Sequence, residues 1–452
     1  MKKLTHIALA LFAAATAWAS EPAAETKQNP NQLKLSVSED EQTSTFGAPG
    51  SFAAALYVSV QDPSMEWWYK LPATATPHIS QLRKIYINEK FSLFPFFENA
   101  AVKDDKFKIT YSVQMTDPAG KKTAMIKDAV FEGTKPSKDV ILAAPDVLEV
   151  KLDQRYAEGV YRFEMTAKDD ISGETSVAEN HIRLTAWTPS VPFTDKKMLN
   201  DFIYSYYLQP SPDTLYSIFF SELLDLEQKD SPNSLNYTLI GFFRAAFDDN
   251  RFLLWPIRQE FANASELDKA KIIFLFAITG EDPVDESLLS DYEKDYQKRI
   301  RNADFVDPYK EWDAVVGATQ VDALWGEFFA RGTYKPLRRI MDLFKYSGEA
   351  SYAESMLEKN KKPESPEDWR KFMLGMLNKA AMVTFAQNAY RIPLVENYCM
   401  WAIQNNDLPK ISYKALSPLF NEIDENNAEQ GGEETIWRIG TPKIFMPEKV
   451  SE

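Results

Sequence analysis

The sequence predicts a multidomain α+β protein: a β-sandwich over residues 51–187, then an all-α, solenoid-like helical array over residues 194–425. Three observations predict it. From about residue 52 apolar side chains recur at every second position, as in half-buried strands. The pattern stops at "TPSVPF", residues 188–193, whose two prolines make a short stiff linker. Beyond it the apolar spacing becomes helical, and helices open repeatedly on Ser-Pro.

Taken in order, residues 1–19 read as a signal peptide. "MKK" is a short basic start, "IALALFAAATAW" has the length of an exported leader's apolar core, and Ala17 and Ala19 suit a cut after Ala19. Residues 20–50 are rich in Glu, Thr, Ser, Asn and Gln and carry few large apolar side chains, the composition of a disordered lead-in. The longest later apolar run, "IIFLFAI" at residues 272–278, falls far short of the roughly 20 residues of a membrane span. The expectation is a periplasmic or secreted protein with no membrane insertion after cleavage.

Within 51–187 the strand candidates are "AALYVSV", "KIYINEKFSLFPFF", "DKFKITYSVQMTD", "DVLEVKL", "GVYRFEMTAKD" and "AENHIRLTAW". Turns punctuate them at Asp117-Pro118-Ala119-Gly120, Glu158-Gly159 and Ser172-Gly173. Several short alternating strands at this spacing suit a β-sandwich. The stretch "GVYRFEMTAKDDISGETSV" resembles the last hairpin of bacterial immunoglobulin-like domains, which implies an Ig-like form of the sandwich, without the Cys pair of antibody-type domains.

The helical half opens behind Thr194, then on Ser211-Pro212, Ser231-Pro232 and Ser365-Pro366, each a serine cap with proline at the first helical position where proline follows. About a dozen helices fit before residue 425 by this spacing. The tail, 426–452, loses the pattern but keeps Ile436, Trp437, Ile439, Ile444 and Phe445, enough to dock on the body. "DTLYSIFFS" from Asp213 and "DALWGEFFA" from Asp322 form a weak internal repeat, in keeping with stacked helix pairs, though without tetratricopeptide spacing. In the second copy Leu324, Trp325, Phe328 and Phe329 fall on one face. Gly326 lets a neighbouring helix approach, Gly332 suits a left-handed cap, and Pro336 starts the next helix.

Charge and chemistry narrow the function classes. The chain has 51 Lys+Arg against 66 Asp+Glu; without Lys2 and Lys3 the balance is 49 against 66, a net of −17. Such a surface repels nucleic acid and anionic headgroups. Cys399 is the sole cysteine, which excludes an intramolecular disulfide and reads as a buried thiol. His78 and His181 are the histidines outside the leader, and neither sits in a hydrolase or zinc pattern. No G-x-S-x-G, S-x-x-K, G-x-x-x-x-G-K or G-x-G-x-x-G occurs. No cofactor is expected. The acidic turn Asp169–Glu174 offers oxygen ligands of the kind calcium takes, but it matches no complete EF-hand loop and reads as a solvated hairpin tip.

"NYTLIGFFRAAFDDNRFLLWPI", "VDALWGEFFARGTYKPLRRIMDLF" and "NKAAMVTFAQNAYRIPLVENYC" are similar to segments of uncharacterised exported bacterial proteins. Their pattern is carried here by Asp322, Leu324, Trp325, Phe328, Phe329, Ala330 and Gly332, with Arg331 where the family has Thr. The resemblance implies an Ig-like β domain followed by a helical-repeat domain, and it implies no activity.

The leading expectation is therefore a non-enzymatic binding or scaffold protein of the bacterial envelope, acting through protein–protein contacts with an envelope protein or peptide. The candidate partner-binding residues are Trp67, Trp68, Asp322, Glu327, Arg331 and Arg338. The alternative is a carbohydrate-active enzyme using an acid pair, or a glycan-binding protein whose Trp67 and Trp68 stand exposed.

Overall fold

The computed structural model describes residues 50–71, 77–134, 141–191, 194–221, 224, 236–303, 305, 307–312 and 317–408. The leader, most of the lead-in, part of the linker, the Ser231-Pro232 start and the tail at 426–452 lie outside them. The chain is mixed α and β, with sheets in the N-terminal half and helices in the C-terminal half. The described residues fall into two units. One takes those between Thr43 and Phe305 with Trp325–Tyr334; the other takes those in Val306–Leu324 and Lys335–Glu434.

In the first unit two sheets share one apolar core. β1 (Ala53–Ser59) pairs antiparallel with β3 (Lys90–Glu98), which pairs on its other side with β6 (Leu142–Ala143) and β7 (Leu148–Lys151). The second sheet has the order β2 (Lys84–Tyr86), β9 (Thr175–Thr185), β8 (Gly159–Asp169), β4 (Lys106–Thr116), β5 (Lys122–Thr134). Alternation produces the core directly: Phe107, Ile109, Tyr111, Val113 and Met115 of β4 meet Tyr161, Phe163, Met165 and Ala167 of β8 and Leu56, Leu93 and Phe97 of the other sheet. β3 is apolar at nearly every position because its outer face is covered too. There Phe94 and Phe96 pack with Trp67 and Trp68 of the short helix α1 (Glu66–Tyr69).

Pro95 stands mid-strand in β3, where a missing N–H normally costs a ladder bond. Its side partners are β7 at Lys90–Leu93 and β6 at Phe96–Phe97, so Pro95 occupies the gap between them. Its carbonyl accepts from the Ala144 N–H at 3.0 Å, towards the same gap. The run "KIYINEKFSLFPFF" is two strands rather than one, because Asn88 takes a left-handed conformation (φ 72°) and turns the chain at Tyr86–Glu89. β5 has no counterpart among the strands expected from sequence.

The free edge of β1 is closed by side chains of the opposite sheet. Glu174 accepts from the Phe52 N–H (2.8 Å), Ser176 from the Ala54 N–H (3.0 Å), and Asn180 donates to the Leu56 carbonyl (2.8 Å). Gln81 in turn donates to Asn180 (2.9 Å). The groups that a further strand would bind are thereby satisfied within the chain.

The helices of this unit are α2 (Lys196–Ser205), α3 (Pro212–Phe219), α4 (Tyr237–Asp249), α5 (Leu254–Glu260), α6 (Glu266–Ile278) and α7 (Asp291–Arg301). Ser211 caps α3 with Pro212 at its first position, as its Ser-Pro start predicts. α4 runs from Tyr237, capped by Asn236 accepting from the Leu239 N–H, while the start expected at Ser231-Pro232 lies outside the described residues. Asn is as good a cap as Ser. Lys269 meets Glu293 (3.9 Å) and Gln297 holds both backbone groups of Val284, so α7 runs beside α6 in the same direction after the chain doubles back.

α8 (Gly317–Arg331) ends in Gly332, whose φ of +62° and N–H bond to the Phe328 carbonyl (2.7 Å) make the left-handed cap. Gly326 touches the backbone of α4: a Cβ there would lie 2.0 Å from the Thr238 carbonyl oxygen and 2.6 Å from the Phe242 nitrogen. The seam foreseen at Gly326 is real, and its partner is α4. The next helix, α9 (Tyr334–Met341), starts two residues before Pro336.

In the second unit Leu337, Ile340, Met341 and Phe344 are buried, and α10 (Ser347–Glu358) packs on the long α11 (Pro366–Arg391). Gly375 makes that approach, since a Cβ would meet the Glu349 carbonyl oxygen at 2.1 Å. Ser365 and Asp368 form a capping box at the start of α11. Cys399, on α12 (Pro393–Gln404), is buried with its thiol 3.8 Å from the Met341 sulfur, and burial pushes the thiol's pKa up.

Candidate functional site

The six residues singled out from sequence have three different kinds of surroundings. Trp67 and Trp68 are each 6% exposed, under the outer face of the β1–β3 sheet. The Trp67 indole N–H donates to the Asp62 carbonyl at 2.9 Å, and that of Trp68 is buried with no partner among the described residues. They serve as core on the reverse of the sheet, not as an exposed platform.

Glu327 and Arg331 lie one turn apart on α8 in the first unit. The Arg331 guanidinium donates from Nε and from its terminal nitrogen to Asp249 at 2.8 to 3.2 Å, and approaches Glu327 at 3.4 Å. Desolvation raises the Asp249 pKa and Arg331 opposes that shift; Arg331 itself is raised, its desolvation being outweighed by Asp249 and Glu327. The fork fixes the Asp249 carboxyl in place, but burial outweighs the adjacent charge and its pKa stays above the ordinary carboxylate value.

Asp322 and Arg338 belong to the second unit. Arg338 binds Asp342 one turn on and Asp407 at 3.4 Å. Asp322 is exposed to water, while the protein crowded around it pushes its carboxyl up to about 7. The side chain's own access to water is the deciding fact, and solvent screens most of that shift.

A second perturbed polar cluster of the first unit was not among the residues singled out from sequence. It is built on the turn between β2 and β3. The Glu89 carboxylate accepts from the Tyr86 N–H at 2.8 Å, closing a turn whose Glu89 N–H bonds the Tyr86 carbonyl at 2.9 Å. The Tyr86 hydroxyl donates to Asp213 on α3, and Lys84 reaches the same Asp213 oxygen at 3.2 Å. Lys84 also stands over the Tyr86 ring at 4.6 Å, and that ring stacks on Phe252 at 6.0 Å.

Burial decides the electrostatics here. Glu89 is 4% exposed, and desolvation pushes its carboxyl up to about 7; the Tyr86 N–H and Lys84 oppose the shift and Asp213 adds to it. Desolvation, assisted by Asp213, pushes the Tyr86 hydroxyl up to about 12, so it stays a neutral donor. The wholly buried Tyr206, whose hydroxyl accepts from Asn250 at 3.2 Å, feels Glu89 and Asp249 and is shifted up, chiefly by burial. Burial favours the protonated form of Glu89, and the bonds of Tyr86 and Lys84 to Asp213 tie the β2 turn to α3. At 4% exposure Glu89 is out of reach of a substrate atom.

The acidic turn at Asp169 also resolves into structure. One Asp169 oxygen accepts from the Ile171 N–H (2.9 Å), the other from the Ala101 N–H (2.7 Å) and the Ser172 hydroxyl (2.8 Å). Among the described residues no group of three or more His, Cys, Asp or Glu is placed to hold a metal, and no helix is long and apolar enough to cross a membrane.

No family model matches the chain, and no curated protein does. Solved structures give weak likenesses. A family 123 glycoside hydrolase from Clostridium perfringens aligns at 8% identity with a TM-score of 0.21, covering 36% of this chain and 33% of that one. A β-glucosidase from Listeria innocua aligns at 11% and 0.18, over 36% of this chain and 21% of that one. The α2-macroglobulin of Escherichia coli aligns at 10% and 0.15, over 66% and 24%. The chain spans no more than a third of the length of any of these, and scores this low do not establish a common fold.

Proposed function

We propose that the chain is an exported, non-enzymatic binding or scaffold protein of a bacterial envelope, working through protein–protein contacts. In this reading an Ig-like β-sandwich is joined to a helical-repeat array. The leader-like residues 1–19 and the net charge of −15 support export and argue against nucleic acid as partner. The observation that carries the reading is a contrast among aromatics. Trp67, Trp68 and Trp325 are buried, whereas Trp255 on α5 is 69% exposed and Tyr292 on α7 is 75% exposed. Exposed Trp and Tyr are the side chains enriched at protein interfaces, where a rigid ring gives large contact area at small entropic cost.

The acid-pair enzyme needs two carboxyls roughly 5–10 Å apart, one holding a proton at neutral pH. Asp249 and Glu327 are both ion-paired to Arg331, so the guanidinium rather than a substrate occupies the two carboxyls.

The test is site-specific photocrosslinking in the native host, with the probe at position 255 or 292 and a control probe at exposed Glu149. Discrete envelope adducts from 255 and 292, absent from the control, are expected. No adduct from either, together with glycan turnover by the purified protein, would overturn the proposal.

A further inference from the structure

The two sheets have four lateral edges, and among the described residues three are short or closed. β2 has three residues, β6 two and β7 four, while β1 is sealed by Glu174, Ser176 and Asn180. β5 is the exception: thirteen residues, bonded to β4 alone, with only Phe131 fully buried. An unpaired edge of that length presents a row of backbone donors and acceptors on which an extended chain can pair.

β5 carries two register shifts against β4, and the second leaves Met125 as an extra residue between Ala124 and Ile126. At the first, a bulge, the ladder passes from Tyr111↔Ala129 to Val113↔Ile126, so Lys127 and Asp128 together face Ser112. Asp128 has φ +48°, and its N–H donates to the Ser112 hydroxyl at 2.9 Å. Beyond the bulge Glu132 is paired with Lys108 at 3.2 Å. Before and at the bulge the edge is different: Lys121, Lys122 and the bulged Lys127 are exposed and make no ion pair among the described residues. Met125 and Ile126 meanwhile pack against the core and hold the strand in place. This is a local positive rim on a chain whose net charge is −15.

From this we propose that the β5 edge from Lys122 to Ile126, irregular at Met125 and ending on the bulge residue Lys127, is a strand-addition site for an extended acidic segment of a partner protein. The proposal rests on the binding-protein reading above and names its partner's chemistry. A second copy of the chain does not fit: antiparallel self-pairing would bring Lys122 of one copy towards Lys127 of the other, and like charges across strands repel. An acidic strand reverses that term and gains the backbone bonds as well.

The test uses the purified full chain and a fluorescein-labelled hexapeptide, Glu-Thr-Val-Thr-Val-Glu, capped at both ends. Fluorescence anisotropy should show saturable binding that weakens with salt, and hydrogen exchange should slow at the amides of residues 122–127. Three comparisons decide it. The same peptide with Lys for Glu should not bind. The peptide N-methylated on alternate amides should lose binding, since it keeps the charges and loses the ladder. The exposed-site variant K122E/K127E should bind about tenfold more weakly or worse. No saturable binding, equal binding of the N-methylated peptide, or an unchanged affinity of the variant would each overturn the proposal. Crosslinked adducts at 255 or 292 that persist in K122E/K127E leave the binding-protein reading standing while the peptide titration decides the edge; absence of those adducts counts against that reading alone.

Discussion

Glu89→Gln tests the buried carboxyl directly. Burial raises the Glu89 carboxyl to about 7, against 4.5 for a glutamate in water. Between those values the folded state keeps a proton that the unfolded state has released. Stability therefore falls as pH rises through that window, and the stabilising contribution is complete only below the unfolded value. At about 1.4 kcal/mol per unit, the span is worth roughly 3 kcal/mol between mildly acidic and mildly alkaline solution. Glutamine mimics the protonated acid: it keeps an acceptor for the Tyr86 N–H and carries no charge to desolvate. Its stability relative to wild type should thus depend on pH in a known direction. Near pH 5 the two should agree to within about 1 kcal/mol, and near pH 8 the variant should be more stable by about 2–3 kcal/mol.

The assay is urea denaturation followed by tryptophan fluorescence across that range. The difference between the two proteins cancels every other titrating group. Lys84→Met supplies the converse, because it removes the cation that eases ionisation of Glu89 and should steepen the wild-type slope. A difference curve flat in pH, or a glutamine variant that is less stable at alkaline pH, would refute the account of Glu89 as a proton held by burial.

The remaining predictions concern packing and the closed edge. Gly326→Ala places a Cβ against the Thr238 carbonyl and the Phe242 nitrogen, atoms of a helix backbone that cannot rotate away. A loss of about 3 kcal/mol or more in denaturation is expected, and a loss within 0.5 kcal/mol or so would deny the helix contact. Trp325→Ala empties a fully packed position, where Trp325 meets Phe328 and Phe329, and should cost about 3–5 kcal/mol; an unchanged melting curve would count against it. Asn180→Ala strips the buried Leu56 carbonyl of its donor and should cost about 1–3 kcal/mol, with faster exchange of the β1 amides; unaltered exchange would show that the side chain does not seal the edge.

What could be read from sequence follows from where each signal resides. β4, β8 and β9 announce themselves because one face is core and the other water, so burial is written into alternate letters. β3 reads as a plain apolar run because aromatic layers cover both its faces. β5 is silent for the opposite reason: with solvent at most positions on both faces, nothing requires alternation, and "KTAMIKDAVFEGT" looks like a loop. Helix starts at Ser211 and Ser365 are local chemistry and were legible, and the tolerance of Gly326 for a close neighbour was legible too. That its neighbour is α4 was not, because the contact joins segments far apart in sequence.

The same rule explains the polar groups and gives the edge proposal its weight. Arg331 reads as a candidate contact until Asp249, 82 residues away, takes its guanidinium. Glu89 lies unremarked inside the strand candidate "KIYINEKFSLFPFF", and only the fold brings Asp213 on α3 and Tyr206 just before it close enough to act on it. In both cases tertiary pairing removes a residue from the pool available to a partner. β1 undergoes the same conversion, its open backbone being answered by Glu174, Ser176 and Asn180 from 122 and 124 residues on. Lys122 and Lys127 do not: among the described residues the fold brings no carboxylate to either, although the chain has 66 acids against 51 bases. A chain that closes its other long edge with its own side chains, and leaves this one open and lysine-rimmed, has the physical form of a surface reserved for an anionic strand from outside.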